Sequence, residues 1–301
     1  MQTFKRLLFV ATILALSMTS LVAADDAVQF TDNADFDESY PAWSPDGTQI
    51  LYVRGTVFSN KLFRQDYPGG APLGLSPNNV LHPNWLPSGD FGWSRLNVIW
   101  VLASNMINQI SSPLDGADPD EAPSWHPTES LIAIHTKFGD ETDFSIGTVT
   151  NSGGVTVRIT TDAGSQTWPD WSPDGNTIAY RQEGNGGGDI YTVPKEGGSG
   201  TPLVAGPANE TQPEWFIDGK WLAYASDING NFDIFITDGT TTMQVTDDPG
   251  NDLYPTWSPD GKIAFSSDRA GTQDIWIIDV SAVSTKPTSW SGIKKQLGTE
   301  N

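Results

Sequence analysis

Short apolar runs recur along the chain at nearly even spacing. They stand at 50–53, 131–134, 177–180, 221–224 and 263–265. Within each run the apolar residues are consecutive rather than alternating, the pattern of a strand covered on both faces. A Pro-x-Trp triplet precedes every run. It occurs six times: Pro41-Ala42-Trp43, Pro83-Asn84-Trp85, Pro123-Ser124-Trp125, Pro169-Asp170-Trp171, Pro213-Glu214-Trp215 and Pro255-Thr256-Trp257. Three copies continue as Ser-Pro-Asp-Gly, at 44–47, 172–175 and 258–261. Proline presets the first turn position and glycine accepts the positive φ of a tight reversal, so each is a hairpin turn.

A second turn follows each run, as at 227–234 and 268–275, then a third strand and a fourth. In the second unit, the most divergent one, 97–103 is the expected third strand. The triplets lie 42, 40, 46, 44 and 42 residues apart. Propeller blades and some helical arrays share that period, and the strand-and-turn chemistry decides for blades. The predicted fold class is all-β: a six-bladed β-propeller of four-stranded antiparallel blades over 25–301, anchored at the six triplet tryptophans. Seven segments compete for six outermost strands. The stretch 28–31, by its spacing to Pro41, is expected to complete the last blade, with 295–297 as the other candidate.

The start of the chain changes the picture of where it works. Lys5 and Arg6, an apolar run over 7–16 and small residues up to Ala24 make the three-part layout of a secretory signal peptide over 1–24. The run is too short for a membrane span, so no membrane insertion is expected after cleavage, and the location is periplasmic or secreted. There is no cysteine, which excludes disulfides, thiol chemistry and a lipid-modified leader. The formal charge of −21 repels phosphate backbones, so nucleic acid is not an expected partner.

Pro-x-Trp-Ser-Pro-Asp-Gly, then Ile-Ala-Tyr or Ile-Ala-Phe, then Ser-Asp-x-x-Gly-x-x-Asp-Ile, resembles the WD-like repeat of the TolB propeller family. The resemblance covers essentially the whole chain after the leader. Only 25–40 lie between the leader and the first triplet, too little for the α/β domain that precedes the propeller in TolB. The resemblance implies a periplasmic or secreted protein and use of one channel face for a protein partner, as TolB binds a lipoprotein.

No Gly-x-Ser-x-Gly elbow, phosphate loop or zinc-type histidine spacing is present, so no catalytic residue is assigned. His126 replaces the serine of its turn and is expected at the surface. Aligning the repeats gives two columns leading into the innermost strands. Three residues before the prolines stand Glu38, Val80, Asp120, Gln166, Glu210 and Asp252. Directly before them stand Tyr40, His82, Ala122, Trp168, Gln212 and Tyr254. Both columns are expected near the channel mouth. Glu38, Asp120, Glu210 and Asp252 would give it negative potential and oxygen donors suited to calcium. Tyr40, His82, Gln166, Trp168, Gln212 and Tyr254 would supply contact surface. The expected function is a non-catalytic module for a protein, peptide or other ligand of the cell envelope. The alternative is a polysaccharide lyase or glycoside hydrolase acting at the same face.

Overall fold

The computed structural model describes residues 26–56, 59–104, 106–111, 121–184 and 186–280. The expected leader, Asp120 and the stretch 295–297 therefore lie outside the described residues. The described residues hold 24 strands, β1 to β24, in six four-stranded antiparallel sheets. The innermost strands are β2 (Glu38–Trp43), β6 (Leu81–Trp85), β10 (Glu121–Trp125), β14 (Gln166–Trp171), β18 (Glu210–Trp215) and β22 (Asp252–Trp257). Five blades run in chain order from inside to outside. The sixth takes its outermost strand from the other end of the chain: β1 (Val28–Gln29) pairs antiparallel with β24 (Asp274–Asp279). The divergent second blade has its third strand at β8 (Val98–Ala103), where the sequence puts it.

The continuous apolar runs follow from blade stacking. Six buried clusters fill the six gaps between blades, and each gap holds one triplet tryptophan. In β3 (Gln49–Thr56), Ile50 and Tyr52 face blade six while Leu51 and Val53 face blade two. Successive side chains point to opposite faces of a strand, and here both faces meet a neighbouring blade. Every residue of the run is therefore buried.

A ring of hydrogen bonds joins the blades close to the axis, and it uses the residue between the proline and the tryptophan. Trp85 Nε1 donates to Ala42 O (2.9 Å), and Asn84 Nδ2 to Pro123 O (3.2 Å). Backbone N–H groups of the next tryptophan serve the other four interfaces. Trp171 donates to Ser124 Oγ (3.1 Å), Trp215 to Asp170 Oδ2 (2.8 Å), Trp257 to Glu214 Oε1 (2.9 Å) and Trp43 to Thr256 Oγ1 (3.4 Å). The ring thus spans all six interfaces.

His126 departs from its expected surface role. It is buried, and its Nδ1 accepts the N–H groups of Thr128 and Glu129. That leaves Nε2–H to donate to Gly175 O of blade four at 3.0 Å. Gly175 has φ +70°, and a Cβ there would meet the His126 ring at 2.4 Å. The turn register is as expected, but the turn is pressed against the next blade.

Candidate functional site at the channel mouth

Each innermost strand breaks its pairing register at the same place. The shift falls between Ser39 and Ala42, and at the matching residues of β6, β10, β14, β18 and β22. Proline has no N–H to give to the ladder, so the strand bulges around it. The residue before the proline takes a left-handed conformation in all six blades. The φ values are 55° at Tyr40, 48° at His82, 48° at Ala122, 56° at Trp168, 56° at Gln212 and 57° at Tyr254. For a side chain larger than glycine this costs about 1–2 kcal/mol. The bulge re-aims that side chain, and all six line one axial cavity of about 90 Å³.

Four of the six are aromatic or imidazole rings, and they form a closed circuit of contacts. Centroid separations are 4.9 Å for Tyr40–His82, 4.8 Å for His82–Trp168, 5.6 Å for Trp168–Tyr254 and 4.3 Å for Tyr254–Tyr40. Two contacts are edge-to-face, a favoured geometry worth about 0.5–1.5 kcal/mol each. The four rings are half-buried, while Ala122 and Gln212 are buried. Gln212 Oε1 accepts the N–H of Tyr254 (2.8 Å) and His82 Nδ1 that of Ala122 (3.3 Å). Burial pushes His82 down to about 3, against the pull of Glu121 and with a further push from His135, so its imidazole is neutral at physiological pH. Burial raises both tyrosines above their ordinary value.

The column three residues before the prolines goes elsewhere: none of its described members lines the cavity. Glu38 is fully buried and accepts from Arg54 Nε at 2.5 Å. Asp252 is equally buried and accepts from Arg269 Nη2 at 2.8 Å. Glu210 accepts from Ser226 Oγ at 3.2 Å. Gln166 accepts from Thr160 Oγ1 and donates to the carbonyls of Asp162 and Gly164. Their partners belong to the same blade or to the loop leading into it, so these residues do not form one acidic mouth. Among the described residues no group of three or more His, Asp or Glu is placed to hold a metal ion.

The cavity's acids come instead from inside the triplets. Asp170 and Glu214 line it, with Asn84, and no lysine or arginine does. Burial raises both carboxyls, and the nearby negative charge of Asp170 raises Glu214 further. Glu121, two residues before its proline, lies close by, with its Oε2 3.7 Å from His135 Nε2. The neighbouring His135 is the largest of the causes that hold Glu121 below its ordinary value. The triplet's middle column could have shown this, since it carries Asp and Glu in two copies and small or neutral residues in the others.

Known proteins agree with this architecture. The TolB beta propeller domain model matches residues 94–238 and 213–299. A structure described as a TolB from Agrobacterium tumefaciens superposes with a TM-score of 0.62 at 23% identity, over 69% of this chain and 80% of that one. An oligogalacturonate lyase from Vibrio parahaemolyticus gives 0.60 at 14%, over 90% and 97%. A gluconolactonase from Xanthomonas campestris gives 0.61 at 12%, over 83% and 88%. Identities this low speak for the fold alone, whereas the family match spans most of the sequence. The chain belongs to the TolB beta propeller domain family.

Proposed function

We propose that the protein is an exported binding module that receives a peptide segment of a cell-envelope protein at the axial mouth. Tyr40, His82, Trp168, Gln212 and Tyr254 form the contact surface. The observation that carries this reading is the six-fold left-handed bulge, which spends backbone strain to turn one side chain per blade toward the axis. Rigid rings at a cavity entrance give large contact area for little lost rotamer freedom. The leader-like 1–24 and the family's location support export. The test is a pull-down from envelope extract with wild type and with Trp168→Ala/Tyr254→Ala. Polypeptides held by the wild type and lost by the variant support the reading. Identical capture by both would refute it.

A second reading, a propeller enzyme of the lyase or glycoside hydrolase type, has one observation in its favour: Asp170 and Glu214 share the cavity. Two carboxyls are the equipment of most glycosidases. Against it, both carboxyls already accept backbone N–H groups of the next blade. A cavity of about 90 Å³ is also smaller than the ~150 Å³ that admits a benzene ring. Turnover of oligogalacturonides or β-glycosides that Asp170→Asn abolishes would favour the enzyme.

A further inference from the structure

The cavity combines three properties that together describe a ligand. It is walled by aromatic faces and prolines. It holds two carboxyls. It contains no positive charge of its own, because no lysine or arginine lines it and the His82 imidazole is neutral. The whole chain is strongly anionic as well. A narrow group with an apolar stem and a cationic tip matches all three.

We propose that the cavity is a receptor for a primary alkylammonium group, with Tyr40, Trp168 and Tyr254 around its methylenes and the carboxyls of Asp170 and Glu214 at its charged end. This rests on the binding-module reading and names the chemistry of the group that enters.

The hydrogen bonds fit the assignment. Asp170 accepts from Ser124 Oγ at 2.9 Å as well as from Trp215 N, so both its oxygens are held in place. Glu214 takes its two contacts, from Thr256 Oγ1 and Trp257 N, on Oε1 alone, each at 2.9 Å. Its Oε2 is left for a ligand. An ammonium has three donors, and a buried ion pair is worthwhile only when such bonds are made. Aromatic faces attract a cation when it is desolvated, Trp most strongly. Burial favours the protonated forms of both acids, and the negative charge of Asp170 raises Glu214 further. An arriving cation reverses that preference, so binding expels a proton. The other titratable groups at the cavity are Tyr40, Tyr254 and the neutral His82, with Glu121 and His135 beside it. The tyrosines are raised out of the physiological range and Glu121 is already ionised.

The experiment is titration calorimetry on the purified full chain with three probes. They are an acetyl-Gly-Lys-Gly-amide peptide, the same peptide with norleucine for lysine, and cadaverine. The expected result is saturable binding of the lysine peptide, at least tenfold weaker binding of the norleucine peptide, and proton release when buffers of different ionisation enthalpy are compared. Cadaverine binding as tightly as the lysine peptide marks a receptor for free amines; weaker cadaverine binding marks one for a lysine in a chain. Both carry the ammonium assignment. Glu214→Gln keeps an oxygen for the Thr256 and Trp257 contacts and should weaken lysine-peptide binding at least tenfold. Trp168→Ala, which leaves the blade-to-blade ring intact, should do the same. Equal binding of the lysine and norleucine peptides overturns the proposal, as does binding that neither variant weakens. Calcium binding that Glu214→Gln abolishes, with no response to either amine, also overturns it. If no probe binds while the mouth variant still loses its envelope partner, the ammonium assignment fails and the binding-module reading stands. If the partner is retained as well, both fail.

Discussion

Replacing Arg54 with methionine separates a buried charge from its partner and should produce a loss of stability that depends steeply on pH. Glu38 has no solvent exposure, and Arg54, with 19% of its side chain exposed, is the cation beside it. Burial pushes the Glu38 carboxyl above its ordinary 4.5, with the Thr31 hydroxyl and Arg54 pulling it back. Methionine keeps an apolar stem for the contact that Arg54 makes over Phe63. Stranding a buried charge costs about 3–5 kcal/mol. The chain can escape that cost by protonating Glu38, at about 1.4 kcal/mol for each pH unit above 4.5. At pH 8 protonation costs about 5 kcal/mol, so nearly the full penalty is felt. At pH 5.5 it costs about 1.4 kcal/mol, so the charge part of the penalty is capped there. A carboxyl whose folded value is raised favours folding at low pH and loses that advantage as pH rises, so the variant's deficit must grow from acid to base. Urea denaturation at pH 5.5 and 8 measures it, with about 2–3 kcal/mol more destabilisation expected at pH 8. The double variant Glu38→Gln/Arg54→Met should remove the pH dependence of the deficit. An equal deficit at both pH values in Arg54→Met would refute the reasoning, because it would mean that water reaches the carboxylate.

Other outcomes follow from the same structure. Trp125→Ala leaves a cavity in the gap between blades two and three and should cost about 3–5 kcal/mol in urea denaturation. His126→Ala strands Gly175 O and two turn N–H groups and should cost about 1–3 kcal/mol by the same measurement. Gly175→Ala should also destabilise, because the new Cβ meets both the His126 ring and an unfavourable φ. Wild-type stability should fall between pH 5 and 8 as the raised carboxyls of Asp170 and Glu214 lose their protons. Glu214→Gln should flatten that profile in thermal melts.

The fold is legible in the sequence because each of its determinants is local or strictly repeated. Asp-Gly turns, doubly buried strands and the triplet tryptophans each leave their own mark on the chain. The site is only half legible. Tyr40, His82, Trp168, Gln212 and Tyr254 fall where the repeat alignment points. Glu38, Gln166, Glu210 and Asp252 do not, because the bulge at each proline interrupts the strand's alternation. Two residues upstream of the inward-turned side chain, the chain already faces its own blade. Asp170 and Glu214 are hidden by position: a residue between a proline and a core tryptophan looks like a spacer until the axis is seen. His126 misleads for a related reason, since a turn's register does not reveal how closely the next blade approaches it.

The pairing of β1 with β24 has a consequence for how the ring is completed. A ribosome delivers Val28 and Gln29 first, yet their partners Ile277 and Trp276 emerge about 250 residues later. Until β24 has emerged, Val28 and Gln29 have no strand to pair with and must wait. Contacts so distant along the chain form slowly. Closing the ring is therefore a clasp between an early and a late part of the polypeptide. A stalled or truncated chain would keep five finished sheets and one open seam.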